Sequence, residues 1–386
     1  MSAKTSIETL LRDAVASGVA RGIAVAAGDS RGTLVEAAAG ERAPGQPMAP
    51  DTVVWIASMT KAITATAALQ QVEKGRLTLD NPIAEVLPEL AHPEVLVGFA
   101  PEGGEAMVRP ARRPITLRHL LTHTSGFSYD IWNPGIGAVM AAQGIPGIIT
   151  CQRAALRTPL VADPGERWEY GIGIDWAGLA VEKVTGKPLA DVLREDVLGP
   201  LGMRDTGFRL GEAQRARLSA MHARGEDGAL APIEFEIPQD PEFHMGGGGL
   251  YGTVRDYLRF CRMWLNRGTL DGARILSEAM ATEAMRDQIG PLSVTPMKTA
   301  LPGSSHDVEL FPGMRKGWGL SFLINEEAVP GGRAAGSLAW AGLANTYYWI
   351  DPQRDRAGVI ATQQLPFGDP KVLDTFERFE HAVYAG

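Results

Sequence analysis

Ser58-Met59-Thr60-Lys61 places a hydroxyl and an amine three residues apart at the head of an Ala-rich, helix-prone run from 58 to 74. Residues three apart on a helix share a face, so the two groups can meet. A serine hydroxyl is a poor nucleophile until a neighbouring base takes its proton. A lysine serves as that base only when neutral, which requires burial or nearby positive charge. The free amides of the first helical turn add positive potential around Ser58. The chemistry on offer is nucleophilic attack through a covalent intermediate. By itself the tetrad occurs often by chance, and its simpler reading is a helix N-terminus with a solvent-facing lysine.

Three other patterns look chemical and read as structural. Gly28-Asp29-Ser30-Arg31-Gly32 matches G-x-S-x-G, which exposes its serine where a strand turns sharply into a helix. Here Thr33-Leu34-Val35 reads as a return strand, so the pentapeptide is expected to be a hairpin turn. His119 and His123 have the spacing of a zinc-protease pair, but Leu120 occupies the position of the required Glu. No third ligand is evident, so a helix-packing role and no metal are expected. Gly246-Gly247-Gly248-Gly249 lacks the Gly-Lys-Ser/Thr ending of a phosphate loop. It predicts close backbone approach beside a site.

The elements that must position these residues follow from periodicity. Helical patterns cover 58–74, 116–123, 175–184, 189–197 and 253–266, with a closing helix over 372–384 and an opening one over 7–16. Asn81-Pro82 reads as a helix start, Gly186 as a left-handed helix end, and Thr253 with Asp256 as a capping box. Ile23–Ala27 and Thr33–Ala37 read as a β-hairpin, and strands are expected over 319–325, 337–340, 346–350 and 358–362. Strands at both chain ends with helices between predict one α/β fold. Its antiparallel sheet would be built from both termini and flanked by terminal helices, with a mainly helical insertion. The corresponding boundaries are 1–57, 58–245 and 246–386. The stretches 101–114 and 290–312 are candidate flaps over a site.

Composition narrows the class. The 386 residues are 45% hydrophobic and 21% charged, which excludes a disordered tail, a collagen-like repeat and a disulfide-stapled miniprotein. A net charge of −8 gives no electrostatic reason to expect a nucleic-acid partner. The basic stretch Arg109 to Arg118 is broken by Pro110 and Pro114 and reads as a solvated loop. Cys151 and Cys261 are a lone, distant pair, expected to be idle thiols in a reducing compartment. No apolar leader or membrane span is evident, so a cytoplasmic protein without a membrane partner is expected.

Several segments in order resemble the class C β-lactamase and penicillin-binding serine hydrolase superfamily. They are Trp55-Ile56-Ala57-Ser58-Met59-Thr60-Lys61, Leu120-Leu121-Thr122-His123-Thr124-Ser125-Gly126, Pro164-Gly165-Glu166-Arg167-Trp168-Glu169-Tyr170, Leu198-Gly199-Pro200-Leu201-Gly202-Met203 and Gly247-Gly248-Gly249-Leu250-Tyr251-Gly252. The resemblance implies a β-lactamase/transpeptidase-like fold, Ser58 as the acylated nucleophile, Lys61 as its activating partner and Tyr170 as a proton shuttle. It also implies an oxyanion hole from the Ser58 and Leu343 amides, and no cofactor.

Two departures bear on substrate. Ile172 stands where lactamases carry the Asn that holds an acylamide side chain. Trp340-Ala341-Gly342 aligns with K-T-G, so Trp340 replaces the lysine that would pair with a substrate carboxylate, as in the family VIII carboxylesterases. The expected activity is hydrolysis of small to medium acyl esters, with a small-molecule ester as the only implied partner. The alternatives are β-lactam or D-amino peptide hydrolysis, acyl transfer to an alcohol, and a penicillin-binding sensor that acylates without turnover. Tyr129 is expected to face the cleft, with Trp340, Gly342 and Ile172 as further substrate-binding positions. Trp132 is equally a core residue, and Lys316 and Trp318 read as a solvated rim.

Overall fold

The computed structural model describes residues 3–101 and 104–385. From the N-terminus, α1 (Ala3–Ala16) leads to β1 (Gly22–Gly28), β2 (Thr33–Ala43) and β3 (Gln46–Pro47). β4 (Val54–Trp55) precedes α2 (Thr60–Glu73), and a hairpin of β5 (Glu94–Phe99) and β6 (Ala106–Pro110) precedes α3 (Leu117–Leu121). The helices α4 (Pro134–Gln143), α5 (Gly173–Thr185), α6 (Leu189–Leu193) and α7 (Glu212–Arg215) follow. A second hairpin, β7 (Met221–Arg224) and β8 (Leu230–Ile233), leads to β9 (Tyr251–Gly252) and α8 (Val254–Leu265). After the short β10 (Thr269–Leu270), β11 (Ala273–Arg274) and α9 (Glu278–Ala284), the chain returns to the sheet. It adds β12 (Lys316–Trp318), β13 (Leu323–Asn325), β14 (Leu338–Gly342), β15 (Thr346–Asp351) and β16 (Arg356–Ala361), then β17 (Gln364–Leu365) and α10 (Pro370–Ala385).

The main sheet has the antiparallel order β12-β13-β14-β15-β16-β1-β2-β3. The two chain ends meet at its centre, where Ala24 of β1 faces Ala361 of β16. Every residue of β1 is buried, because both sheet faces are covered. Neighbouring residues of β15 show how. Tyr348 packs on Tyr257 of α8, while Trp349 packs on Phe376 and Phe379 of α10. Side chains alternate across a strand, so α8 and α10 lie on opposite faces. α1 packs on α10.

The helical layer is centred on α2, whose residues are buried from Thr60 to Gln71. Its buried face includes Thr60, Lys61, Thr64, Thr66, Gln70 and Gln71 as well as apolar residues, and α5 packs against it. Within 58–245 the two hairpins are the strands that interrupt this helical part.

Several boundaries differ from the periodic reading. The run 58–74 begins as a 3₁₀ turn, Ala57–Met59, before α2. The pattern at 116–123 yields only α3, because His123 turns to a φ of 55°. Asn81-Pro82 introduces a single 3₁₀ turn, Ile83–Glu85, with Pro82 outside it. Thr253 caps α8 by accepting the Asp256 amide, but the Asp256 carboxylate turns away to accept from the Asp205 amide and Thr206 Oγ1. The reciprocal box is at Thr116 and His119 instead. The strand expected at 319–325 starts at Leu323, since Gly319 donates back to the Phe322 carbonyl in a tight turn. Of the candidate flaps, 101–114 is largely the β5–β6 hairpin, with 102 and 103 outside the described residues. Gly186 ends α5 at a φ of 68°, as the sequence predicts. The Gly28–Gly32 pentapeptide is a hairpin turn.

Candidate active site

Between Thr52 and Gln71, Ser58 is the only residue that is not buried. It sits in the 3₁₀ turn ahead of α2, following Ala57 at a φ of 45°. An alanine in that region costs about 1–3 kcal/mol, strain that clusters at functional sites. Strand β14 approaches this turn closely. A Cβ at Gly342 would collide with the Ile56 carbonyl oxygen and Thr346 Oγ1, so only glycine lets the strand pass. Leu343 follows as a half-buried turn residue.

Lys61, 1% exposed, donates from Nζ to Ser58 Oγ at 3.1 Å and to the Gly247 carbonyl at 2.6 Å. The glycine run thus supplies close backbone approach: Gly246 O also accepts from Thr64 Oγ1. The Lys61 amine lies 4.8 Å from the ring centroid of Tyr170 and 5.1 Å from that of Tyr129. Both aromatics are buried and favour a cation at their faces.

Tyr170 has its phenol oxygen fixed by Trp340, whose Nε1 donates to it at 3.0 Å. Trp340 stands in β14 opposite Tyr348, and its indole meets Trp168 and Trp318 edge to face. His123 holds the other side. Its carbonyl accepts the Glu169 amide at 2.7 Å, its Nδ1 accepts the Gly171 amide at 3.4 Å, and its ring lies 4.6 Å from that of Tyr170. Burial, aided by the charge of Lys61, holds the His123 imidazole well below its usual range, so it is neutral. His119 points elsewhere. Its Nδ1 accepts the Thr116 amide, and burial with Arg113 lowers its pKa to about 4.

Tyr129 lies 5.3 Å from Tyr170, ring to ring. Trp132 joins the same cluster at 5.4 Å and donates from Nε1 to Ser305 Oγ. Together with the Ala300 amide donating to the Ile131 carbonyl, this ties the 290–312 segment to the site. Ile172 is buried at the start of α5, where its carbonyl accepts the Asp175 amide. Lys316 and Trp318 are not a solvated rim. Lys316 is buried in β12 with Nζ on Glu309 and the Phe311 carbonyl, and Trp318 donates to the Leu121 carbonyl. Both cysteines are free and buried. A cleft of about 800 Å³ lies along the Trp176 and Leu179 face of α5 and shares no residue with Ser58, Lys61 and Tyr170.

Sequence reasoning singled out Ser58, Lys61, Tyr170, Trp340 and Tyr129, and the fold brings all five together. It passed over Asp175, a buried carboxyl on α5 that accepts the Gly247 amide at 2.8 Å. The signal was present: Asp175 is the one charged residue between Glu169 and Glu182. His123 was read as packing, and its role emerges only from the folded chain.

Comparisons with known proteins bear on the family, the fold and the class of enzyme. The model of the family described as Beta-lactamase matches residues 7–382. The chain is 34% identical to a lovastatin esterase from Penicillium rubens, over 98% of each chain. It is 33% identical to a monacolin J acid methylbutanoyltransferase from Aspergillus terreus, over 88% of this chain and 83% of that one. The solved structure of a LovD6 mutant of simvastatin synthase, also from Aspergillus terreus, superposes with a TM-score of 0.86 at 31% identity. That likeness covers 100% of this chain and 97% of the other. Among the described residues no helix is long and apolar enough to cross a membrane. With a β-lactamase/transpeptidase-like fold and relatives named as esterases and acyltransferases, the chain belongs to the beta-lactamase family and is an enzyme of its serine hydrolase type.

Proposed function

We propose that the protein is a serine carboxylesterase acting on small to medium acyl esters. The observation that carries this reading is the line from Trp340 Nε1 to the Tyr170 oxygen, with the Lys61 amine over the Tyr170 ring and 3.1 Å from Ser58 Oγ. Lys61 takes the Ser58 proton as Oγ attacks the ester carbonyl, forming the Oγ–C bond. The Ser58 and Leu343 amides receive the oxyanion, a pair in which one lost donor costs about 10²–10³ in turnover. Tyr170 gives its phenol proton to the departing alcohol and recovers one from Lys61, and Trp340 supports the phenol oxygen while it is without that proton. Water then enters by the reverse relay and releases the acid.

Trp340 presents an uncharged wall where a lysine would bind a carboxylate, which favours a neutral ester over a β-lactam. The similarity to a lovastatin esterase supports ester cleavage. The similarity to a methylbutanoyltransferase supports a second reading, in which an alcohol rather than water accepts the acyl group. Hydrolysis of p-nitrophenyl butyrate, with and without an added alcohol, tests both. The esterase reading expects a burst, steady turnover and mainly free acid. Predominant ester product identifies a transferase, and a single burst without turnover identifies a sensor. Assays of p-nitrophenyl esters of increasing chain length address acyl size. We further propose a cytoplasmic protein needing no cofactor.

A further inference from the structure

Asp175 is 0% exposed, yet no lysine or arginine pairs with it directly among the described residues. Its Oδ1 accepts the Gly247 amide at 2.8 Å, and its Oδ2 has no hydrogen-bond partner among those residues. Gly247 in turn offers its carbonyl to Lys61 Nζ at 2.6 Å, the same amine that reaches Ser58. A Cβ on Gly247 would lie 2.5 Å from Asp175 Oδ2, so the absence of a side chain is what admits the carboxyl.

We propose that Asp175 is a positioning residue for the acylation step. Through Gly247 it holds the Lys61 amine on Ser58, and its charge is coupled to that of the amine. The inference rests on the esterase reading of Ser58 and Lys61. The titratable side chains facing Asp175 are Lys61 from α2, Tyr129 from the loop after α3 and Cys151 from the turn after α4. From α6, Leu189 packs against α5 at Gly178. Burial raises the Asp175 carboxyl to about 6, against the opposing pull of Lys61. Above that pH an anion faces the lysine, and an anion favours the ammonium form. Replacing it with a neutral amide favours the free amine.

The test is ester hydrolysis by the full chain as a function of pH. Asp175→Asn keeps an acceptor for Gly247 and removes the charge. The acidic limb of kcat/KM is expected to move down by about one pH unit, with KM within about twofold. Asp175→Leu removes both charge and acceptor. Its kcat is expected to fall about 10²-fold, again with KM within about twofold. An unmoved limb in Asp175→Asn, or wild-type kcat in Asp175→Leu, overturns the proposal. If either variant fails to fold, the Asp175 carboxyl is titrated by carbon NMR in the intact protein and in Lys61→Met. A midpoint that rises without the lysine charge supports the proposal, and an unmoved one overturns it. Hydrolysis surviving in Ser58→Ala would instead remove the esterase reading beneath it.

Discussion

Trp340 donates its N–H to the Tyr170 oxygen, and in the proposed function the same side chain is an apolar wall to the substrate. Replacing it with Phe keeps the wall and deletes the donor. Trp340→Phe should therefore lower kcat about tenfold while KM changes less than about threefold, a split that steady-state kinetics resolves. If Tyr170 is the proposed proton shuttle, Tyr170→Phe should cost at least about 10²-fold in kcat. At this scale much was legible in the chain. Ser58 and Lys61 have a helical spacing, and Tyr170 and Trp340 fall at positions with a clear sequence context. The sequence reads His123 only as packing and offers no role for Asp175, because their significance comes from burial and from partners 48 and 72 residues distant.

At the scale of elements, the site depends on a helix whose start is bent. Periodicity revealed α2 and α5 but not the 3₁₀ turn at Ala57–Met59, which β14 contacts and Leu250 brackets by accepting the Ile56 amide and donating to Thr60 Oγ1. Short segments such as α3 and β12 also depend on tertiary partners, so propensity alone overstated the first and missed the second. α5 carries a testable cost. Burial raises the pKa of Asp175 to about 6, so its contribution to stability is full below its unfolded value and is lost as pH rises through about 6. Asp256 behaves the same way, burial again being the main cause. Asp175→Asn should then gain stability relative to wild type, by up to about 2–3 kcal/mol above pH 7. That gain should vanish near pH 4. Denaturant melts at the two pH values check the difference, and a gain independent of pH would contradict it.

The whole molecule is held by the pairing of β1 with β16 inside the sheet, and by α10 against its outer face. The buried pair of Arg333 and Glu380 fastens that helix, with the guanidinium over the rings of Phe311, Trp349 and Phe376. Removing one partner strands the other charge, so Arg333→Met should destabilise the fold by about 3–5 kcal/mol. The folded fraction should keep its kcat, since the pair lies outside the catalytic cluster. Equal losses in stability and in active-site-normalised kcat would show that α10 reaches the site. The strands from both chain ends foretold this architecture, because a sheet shared by the termini leaves the middle of the chain free to build the helical layer.

Acylation of Ser58 tests the central claim most directly. Rapid quenching after mixing with p-nitrophenyl butyrate, followed by intact-protein and peptide mass spectrometry, should reveal one butyryl group on Ser58 that decays with turnover. Ser58→Ala should show neither the adduct nor hydrolysis. Sustained hydrolysis by Ser58→Ala, or an acyl group carried by another residue, would contradict the account.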